Sequence, residues 1–180
     1  MEGHCTCRQI RYRLEGDPLF VHCCHCSWCQ RETGTAFALN AMYEATRVEV
    51  LEGEPELVDT PSNSGKGQVI ARCPTCRVAL WSNYGGRGDV VRFVRVGTID
   101  GHALKPDVHI FTSTMQPWLT LGDGAPVCDA YYDRKKLWPE ASLEHPAVAA
   151  ASPRPLGTSS ASPLPGGRLL GRWKVMLESR

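Results

Sequence analysis

Hydrophobic and polar residues alternate along most of the first three quarters of the chain. The clearest case is Ile10, Tyr12 and Leu14, which alternate with Arg11 and Arg13. Because successive side chains of a strand point to opposite faces, this spacing predicts a strand with one buried face. Further strands are predicted by the same reasoning over residues 37–41, 47–51, 57–59, 68–72, 90–96 and 108–113. The chain is therefore predicted to be mostly β.

Turn-forming residues separate the predicted strands. Segments rich in Gly, Pro, Asp and Ser occur at residues 16–18, 53–55, 61–67 and 85–88, and these residue types favour tight turns. Helical patterning is limited to short segments at residues 28–32 and 130–137. Helices are thus expected only as fragments between strands.

The composition of the chain changes near its C-terminal end. From about His145 to Gly167 the sequence is dominated by Ala, Ser, Pro and Gly. Such a segment buries too little apolar surface to offset the entropy of ordering it. We predict one domain over residues 1–140 and a disordered tail over residues 141–180, and we assign no function to the short apolar stretch at 169–177.

Length and charge narrow the function classes. The chain has 180 residues, of which 42% are hydrophobic, and its formal net charge is +1. A nearly neutral chain has no general electrostatic attraction to nucleic acids, membranes or acidic partners. Neither a membrane-spanning apolar stretch nor a signal peptide is present in this sequence. We therefore expect a cytoplasmic protein, with a nuclear location as the alternative.

The nine cysteines are grouped in a way that favours metal binding over disulfides. A disulfide framework is typical of small secreted domains and predicts a secretion signal. Here the count is odd, and the thiols occur in C-x-C and C-x-x-C clusters, which suit metal capture. A reducing compartment is consistent with the same conclusion.

Seven of these cysteines form two sets with different numbers of ligands. Structural zinc sites usually have four protein ligands, whereas catalytic zinc sites commonly have three and an exchangeable fourth position. The closed set is Cys5, Cys7, Cys73 and Cys76; the open set is Cys24, Cys26 and Cys29. We therefore predict two zinc ions per chain, one acting as a structural clamp and one available for chemistry.

The order of these motifs resembles that of the glutathione-dependent formaldehyde-activating enzyme (GFA) family, which includes the centromere protein V type. The resemblance covers about residues 3–135. It rests on Gly3-His4-Cys5-Thr6-Cys7, Arg11-Tyr12, Cys24-His25-Cys26-Ser27-Trp28-Cys29-Gln30-Arg31, Gly34-Thr35-Ala36-Phe37, Cys73-Pro74-Thr75-Cys76, Val108-His109-Ile110-Phe111 and Pro117-Trp118. Two positions depart from the family, which usually has Gly where this chain has Arg8 and Arg77, and Gly tolerates positive φ far better than Arg.

What the resemblance implies is a zinc-stabilised β-sheet domain of the β-tent type that carries both zinc sites. It also implies carbon–sulfur lyase-type chemistry, in which the thiol of glutathione adds to formaldehyde or the adduct is cleaved. The expected partner is a small-molecule thiol adduct, with glutathione as a possible co-substrate. The alternatives are a different thiol adduct or other substrate, and a non-catalytic zinc-stabilised interaction module of the centromere protein V type, because a family does not fix the substrate.

Proton transfer and substrate binding have several candidates. His25 and His109 are candidate catalytic bases, and the alternative is that each makes only structural hydrogen bonds. Cys23 and Cys128 are predicted to be buried spare thiols. The carboxylates of glutathione would favour cationic partners, and Trp28 is a candidate pocket residue. The cationic candidates are Arg31, Lys66, Arg72 and Arg92.

Overall fold

The computed structural model describes residues 1–85, 88–101 and 104–146. Its strands, in chain order, are β1 (Glu2–His4), β2 (Arg11–Leu14), β3 (Phe20–Cys24), β4 (Ala38–Glu44), β5 (Val48–Glu52), β6 (Glu56–Thr60), β7 (Gln68–Arg72), β8 (Ala79–Tyr84), β9 (Val91–Arg95), β10 (Val108–Ile110) and β11 (Val127–Cys128). The α-helices in the described part of the chain are α1 (Ser27–Thr33), α2 (Arg134–Leu137) and α3 (Glu140–Leu143). The predicted mostly β fold class is confirmed.

The strands form two sheets. The small sheet has the order β1-β2-β5, and the large one has the order β11-β10-β3-β4-β9-β8-β7-β6. Neighbouring strands are antiparallel except where β10 pairs with β3 and with β11. This parallel pairing places Ile110 opposite Cys24 and His109 opposite Cys23. Two sequence motifs separated by more than 80 residues are thereby brought side by side.

The large sheet is covered on both faces. One cluster joins the two sheets, with the Tyr12 and Trp81 rings edge to face at 5.8 Å. The other cluster lies on the opposite face, where Phe20 stacks on Trp138 at 5.1 Å, beside α2. Burial of aromatic surface of this size contributes a large part of a small domain's stability. Because both faces are covered, β4 is almost entirely buried instead of showing one polar face.

Several predicted boundaries shift for identifiable reasons. The predicted strand over 108–113 ends at Ile110, because Phe111 has φ 56 and therefore leaves the extended conformation. The predicted strand over 37–41 begins at Ala38 and continues to Glu44. Four strands, β1, β3, β8 and β11, have no counterpart among the predicted strands. β3 is buried at all five positions, so it lacks the alternation on which the predictions depended.

The described chain continues past α3 and stays in contact with the domain. Ser142 Oγ donates a hydrogen bond of 2.9 Å to the carbonyl oxygen of Leu19. The predicted tail from residue 147 onward, and residues 86–87 of the predicted turn at 85–88, lie outside the described residues. Among the helices that are described, none is long and apolar enough to cross a membrane.

Candidate metal centres and the adjoining cavity

The four cysteines of the closed set come together as the sequence predicts. Their sulfur atoms all lie within 4.8 Å of one another, and the Cys7 sulfur is 3.5 Å from those of Cys5 and Cys73. Sulfurs that share a tetrahedral zinc with bonds of 2.3 Å are separated by about 3.8 Å. The spacing of the four thiols therefore fits a zinc ion.

Two similar turns present these thiols. The backbone N–H of Cys5 donates to the carbonyl of Ile10 at 3.1 Å, and that of Cys73 donates to the carbonyl of Val78 at 3.0 Å. The Ile10 N–H also donates to the Cys5 sulfur at 3.3 Å. Backbone N–H groups aimed at sulfur stabilise the thiolate form, which is the form that binds metals. At Cys76 such donors, those of Cys7 and Val78, lower the pKa to about 6.

Arg8 and Arg77 occupy matching places in these two turns. Arg8 has φ 62 and Arg77 has φ 63, so both are in the left-handed region. The Arg8 N–H donates to the Cys5 carbonyl at 2.9 Å, and the Arg77 N–H donates to the Cys73 carbonyl at 3.0 Å. The turns thus keep a backbone geometry suited to Gly while carrying Arg, at a conformational cost of about 1–2 kcal/mol each.

The three cysteines of the open set also converge. Cys24 ends β3, Cys26 is the N-cap of α1, and Cys29 lies in the first turn of that helix. Their sulfurs all lie within 4.8 Å of one another, and the Cys29 N–H donates to the Cys26 sulfur at 3.3 Å. The strand end and helix start therefore aim three thiols at one point, while no fourth Cys, His, Asp or Glu of the described chain joins the group.

The ionisation of these thiols shows that the open set suits a cation. The Cys26 pKa is lowered because the thiols of Cys24 and Cys29 donate to it. The Cys24 pKa is raised by its hydrogen bonds to the other two thiols and by burial. One thiolate therefore forms readily, but three thiolates this close together need a positive charge among them. Zinc, which takes thiolate ligands, supplies such a charge.

A cavity of about 650 Å³ opens beside the three thiols. It lies over the large sheet, and the loop that joins β6 to β7 forms part of its wall. Its lining includes His22, Cys24, Cys26, Cys29, Asn40, Ser62, Lys66, Tyr84, Phe93, Arg95, Phe111 and Arg134. Trp28 also lines this cavity, as the sequence suggested, and is 44% exposed. A space of this size and mixed character is typical of a small-molecule site.

Arg95 places a buried positive charge in the cavity wall. It is only 7% exposed. Its guanidinium donates to Asn40 Oδ1 and, at 3.1 Å, to Ser82 Oγ, which are both neutral acceptors. No carboxylate pairs with Arg95 in the described part of the chain, and a buried charge is costly without a counter-charge. The pKa of Cys29 is lowered by its hydrogen bond to Cys24 and raised by that to Cys26 and by burial, and the charge of Arg95 opposes the net rise.

The predicted catalytic histidines lie on the other side of β3 from the cavity. His22 and Cys24 line the cavity, and strand alternation points Cys23 away from it. Cys23 is buried, as predicted, and its sulfur lies 3.5 Å from His25 Nε2. Neither His25 nor His109 lines the cavity. This placement favours the structural alternative for both histidines.

A hydrogen-bond chain connects these histidines to Asp123. His109 Nε2 lies 2.8 Å from Asp123 Oδ2, and His109 Nδ1 lies 3.0 Å from His25 Nε2. The carboxylate accepts a hydrogen bond from His109 Nε2, so His109 Nδ1 is free to accept one from His25 Nε2. We call this group the histidine relay (Asp123, His109 and His25).

The sulfur of Cys23 and the facing ring nitrogens of the relay are also close enough to surround an ion. However, His25 Nδ1 is buried and has no partner within the described part of the chain. If His25 Nε2 bound a metal, Nδ1 would carry the proton as a buried, unpaired donor, which is costly. The hydrogen-bonded arrangement leaves only a lone pair there. The relay therefore has a hydrogen-bonding role and is not a third metal site.

The loop that carries His25 is held from several directions. The backbone N–H of His25 donates to the Ile110 carbonyl at 2.9 Å. Its carbonyl accepts from Gln30 Nε2 at 2.6 Å and from Thr114 Oγ1 at 3.1 Å. Because His25 lies between two of the three cysteines, these bonds and the relay fix the loop on which the thiols converge.

The cationic candidates are widely dispersed. Lys66 lines the cavity. Arg72 forms an ion pair with the cavity residue Glu32. Arg31 donates to the Ser27 carbonyl, and Arg92 lies over the Trp81 ring on the other face of the large sheet. Arg95 and Arg134, which do line the cavity, were not singled out because sequence alone does not show which distant strands and helices share a wall.

Fold and site together define a β-sheet protein with metal-binding cysteine clusters. A sequence model described as glutathione-dependent formaldehyde-activating enzyme matches residues 1–114, and the chain belongs to this family. It is thus a zinc-binding protein of the GFA type. A crystal structure of a Rhodobacter sphaeroides protein, a structural genomics target, is similar at 20% identity, with a TM-score of 0.45 over 57% of this chain and 91% of that one. No curated protein sequence matches the chain.

Proposed function

We propose that the protein is a zinc-dependent carbon–sulfur lyase-type enzyme that forms or cleaves an S-hydroxymethyl thiol adduct. Glutathione is the first thiol to test, because the family description names it and formaldehyde. The observation that carries the proposal is that Cys24, Cys26 and Cys29 converge beside a cavity of about 650 Å³. A three-ligand set next to a substrate-sized space is the arrangement of catalytic zinc sites.

Two zinc ions per chain would have separate roles. Cys5, Cys7, Cys73 and Cys76 would hold one as a clamp between the start of the chain and the turn after β7. Cys24, Cys26 and Cys29 would hold the other. When bound there, zinc with an exchangeable position supplies stabilisation of the substrate sulfur as a thiolate.

The residues of the cavity would bind and orient the adduct. The aromatic rings of Phe93 and Phe111 give the cavity an apolar wall, and Lys66 and Arg134 offer positive charge to substrate carboxylates. Arg95 adds a further positive charge to the lining of the same cavity. These groups would hold the carbon–sulfur bond of the adduct next to the three cysteines and so contribute to catalysis by proximity and orientation.

The reaction is balanced without an oxidant or a reductant. In cleavage, the hydroxyl group of the adduct loses its proton to water and becomes the carbonyl of formaldehyde. The carbon–sulfur bond breaks, and its electron pair stays on sulfur as the thiolate. The same steps in reverse order form the adduct. His25 and His109 lie outside the cavity, so no proton transfer is assigned to them.

The test is a rate measurement, because formaldehyde and thiols combine unaided. Exchange of ¹³C-formaldehyde between its free and glutathione-bound forms can be followed by NMR, with and without the protein. We expect acceleration by the wild type and a return to the unaided rate for Cys26→Ser. Cys128→Ser is the matched control, because Cys128 is a half-buried thiol outside both sets.

Two results would contradict the proposal. A wild-type protein that holds two zinc ions and yet leaves the exchange rate unchanged would support the interaction-module alternative. Equal acceleration by wild type and by a folded Cys26→Ser variant would place the chemistry elsewhere. Repeating the measurement with cysteine or 2-mercaptoethanol in place of glutathione would show which thiol the cavity prefers.

A further inference from the structure

Tyr84 stands in the cavity wall with its ring fixed by neighbouring aromatics. It is the last residue of β8, and its ring meets Phe93 of β9 edge to face at 4.8 Å. Phe93 is in turn nearly parallel to the ring of His22 at 6.3 Å. All three rings line the cavity onto which Cys24, Cys26 and Cys29 open. The position of the Tyr84 ring is therefore set by packing against β9.

The hydroxyl group of Tyr84 has no hydrogen-bond acceptor among the residues that the structure describes. A buried tyrosine hydroxyl usually has a partner. The fully buried tyrosines follow this rule, since Tyr12 bonds to Thr98 at 2.7 Å and Tyr43 reaches the Gly16 carbonyl at 3.4 Å. Tyr84 is half-buried, and its hydroxyl belongs to the cavity wall. No residue of the described chain accepts from Tyr84. Its hydrogen is available to a molecule in the cavity.

The surroundings of Tyr84 keep this hydrogen in place. Burial raises the pKa of Tyr84 above its usual value; the charge of Cys29 acts in the same direction and that of Arg95 in the opposite one. Tyr84 lines the same cavity as Cys24, Cys26 and Cys29. Tyr84 therefore stays a neutral donor next to the proposed reaction centre.

We infer that Tyr84 is a catalytic residue, whose hydroxyl donates a hydrogen bond to the oxygen atom of the S-hydroxymethyl group and of the formaldehyde from which it forms. This inference rests on the proposed function. In adduct formation, a sulfur electron pair makes the carbon–sulfur bond while the carbonyl π pair moves to oxygen. Tyr84 stabilises the charge developing on that oxygen, which then takes a proton from water, so Tyr84 itself is unchanged.

Such a donor acts mainly on the rate. Negative charge on the oxygen is greatest in the transition state, and a fixed donor in a site of low polarity lowers the energy of that state more than that of the bound adduct. Loss of a single donor of this kind typically slows a reaction by about 100- to 1000-fold. Since the adduct oxygen can also be solvated by water in this open cavity, we expect about a 10- to 100-fold loss.

The experiment uses the full-length zinc-loaded protein and the ¹³C-formaldehyde exchange measurement. Tyr84→Phe should lower kcat by about 10- to 100-fold, with KM within about threefold and the zinc content unchanged. Tyr43→Phe is the matched control, because it removes a buried hydroxyl from the opposite hydrophobic cluster. It should stay within about twofold of the wild type in rate.

The outcomes separate this inference from the proposed function. An active wild type together with a zinc-loaded Tyr84→Phe variant of equal kcat would overturn the role of Tyr84 and leave the lyase-type activity standing. A rise in KM with unchanged kcat would also overturn the role of Tyr84, because such a change would indicate substrate binding without transition-state stabilisation. A wild type that does not accelerate exchange would overturn both.

Discussion

His25 Nε2 lies 3.0 Å from His109 Nδ1, although 84 residues separate the two in sequence. The contact depends on the parallel pairing of β10 with β3 and brings Asp123 into the same chain of hydrogen bonds. His25 stands between two cysteines of the open set. The C-terminal part of the domain therefore braces the loop that presents the thiols.

Breaking the relay should weaken both the domain and its open metal site. His109→Leu leaves the Nε2 donor of the buried His25 without its acceptor, which costs about 1–3 kcal/mol in the free energy of unfolding. Zinc affinity at the three-cysteine site should fall by about tenfold, because groups that orient a ligand loop contribute at this level. Urea unfolding and chelator competition measure the two effects.

His4→Leu is the control for the relay. His4 also pairs with a carboxylate, that of Asp100 at 3.0 Å, but it is partly exposed. Its replacement should change the unfolding free energy by less than about 1 kcal/mol. Equal effects of the two substitutions would show that the relay has no special role in holding the cysteine loop.

Replacing Arg8 by Gly should stabilise the protein. Arg8 is exposed and held at φ 62, which costs about 1–2 kcal/mol, whereas Gly adopts this conformation freely but loses about 0.5–1 kcal/mol in unfolded-state entropy. The expected net gain is about 0.5–1 kcal/mol in thermal or urea unfolding of the zinc-loaded protein. Arg8→Ala retains a Cβ atom and should give no comparable gain.

Arg77→Gly tests the same idea in the second turn. The strain relieved is similar, but the Arg77 side chain also pairs with Glu56. Exposed ion pairs contribute about 0–1 kcal/mol, so the net gain should be smaller than for Arg8→Gly. A larger gain at Arg77 than at Arg8 would contradict the assignment of the cost to backbone conformation.

Removing the charge of Arg95 should weaken metal binding at the open set. Arg95→Gln keeps a side chain that can donate to Asn40 but no longer favours the thiolate form of Cys29. We expect about a tenfold loss of zinc affinity at this site, measured by chelator competition, with the four-cysteine site unaffected. Arg92→Gln makes the same charge change from the other face of β9 and should have little effect.

The two zinc sites should differ in what their loss does to the fold. Native mass spectrometry should find two zinc ions in the wild type and one in a triple Cys24→Ser, Cys26→Ser, Cys29→Ser variant that remains folded. Cys73→Ser should instead destabilise the whole domain, since its zinc joins segments 66 residues apart. One zinc ion in both the wild type and the triple variant would contradict an occupied open site.

Sequence reasoning reached the metal ligands because their spacing is itself the signal. Cys24, Cys26 and Cys29 lie on one strand end and the helix turn after it, so local sequence is enough to bring them together. The joining of Cys5 and Cys7 to Cys73 and Cys76 was predicted from ligand number, cluster spacing and the family resemblance, and the fold brings the four sulfurs together.

The cavity was harder to foresee because its walls come from distant elements. Tyr84 ends a strand that has no counterpart among the predicted ones, and Arg95 is one of several arginines in alternating patterns. Only the pairing of β4, β9 and β8 brings both residues to the side of the open set. The relay was missed for the same reason, since it depends on a parallel strand pair that joins His25 to His109.

The arrangement of the cysteines also has a consequence for the order of events during synthesis. The thiols of the open set are complete once residue 29 has been added, whereas Cys7 waits 66 residues for Cys73. At roughly 5–20 residues per second, that interval lasts about 3 to 13 s. A growing chain therefore presents the three thiols of the open set before it can present the four of the closed set, so we expect the closed set to bind its metal last.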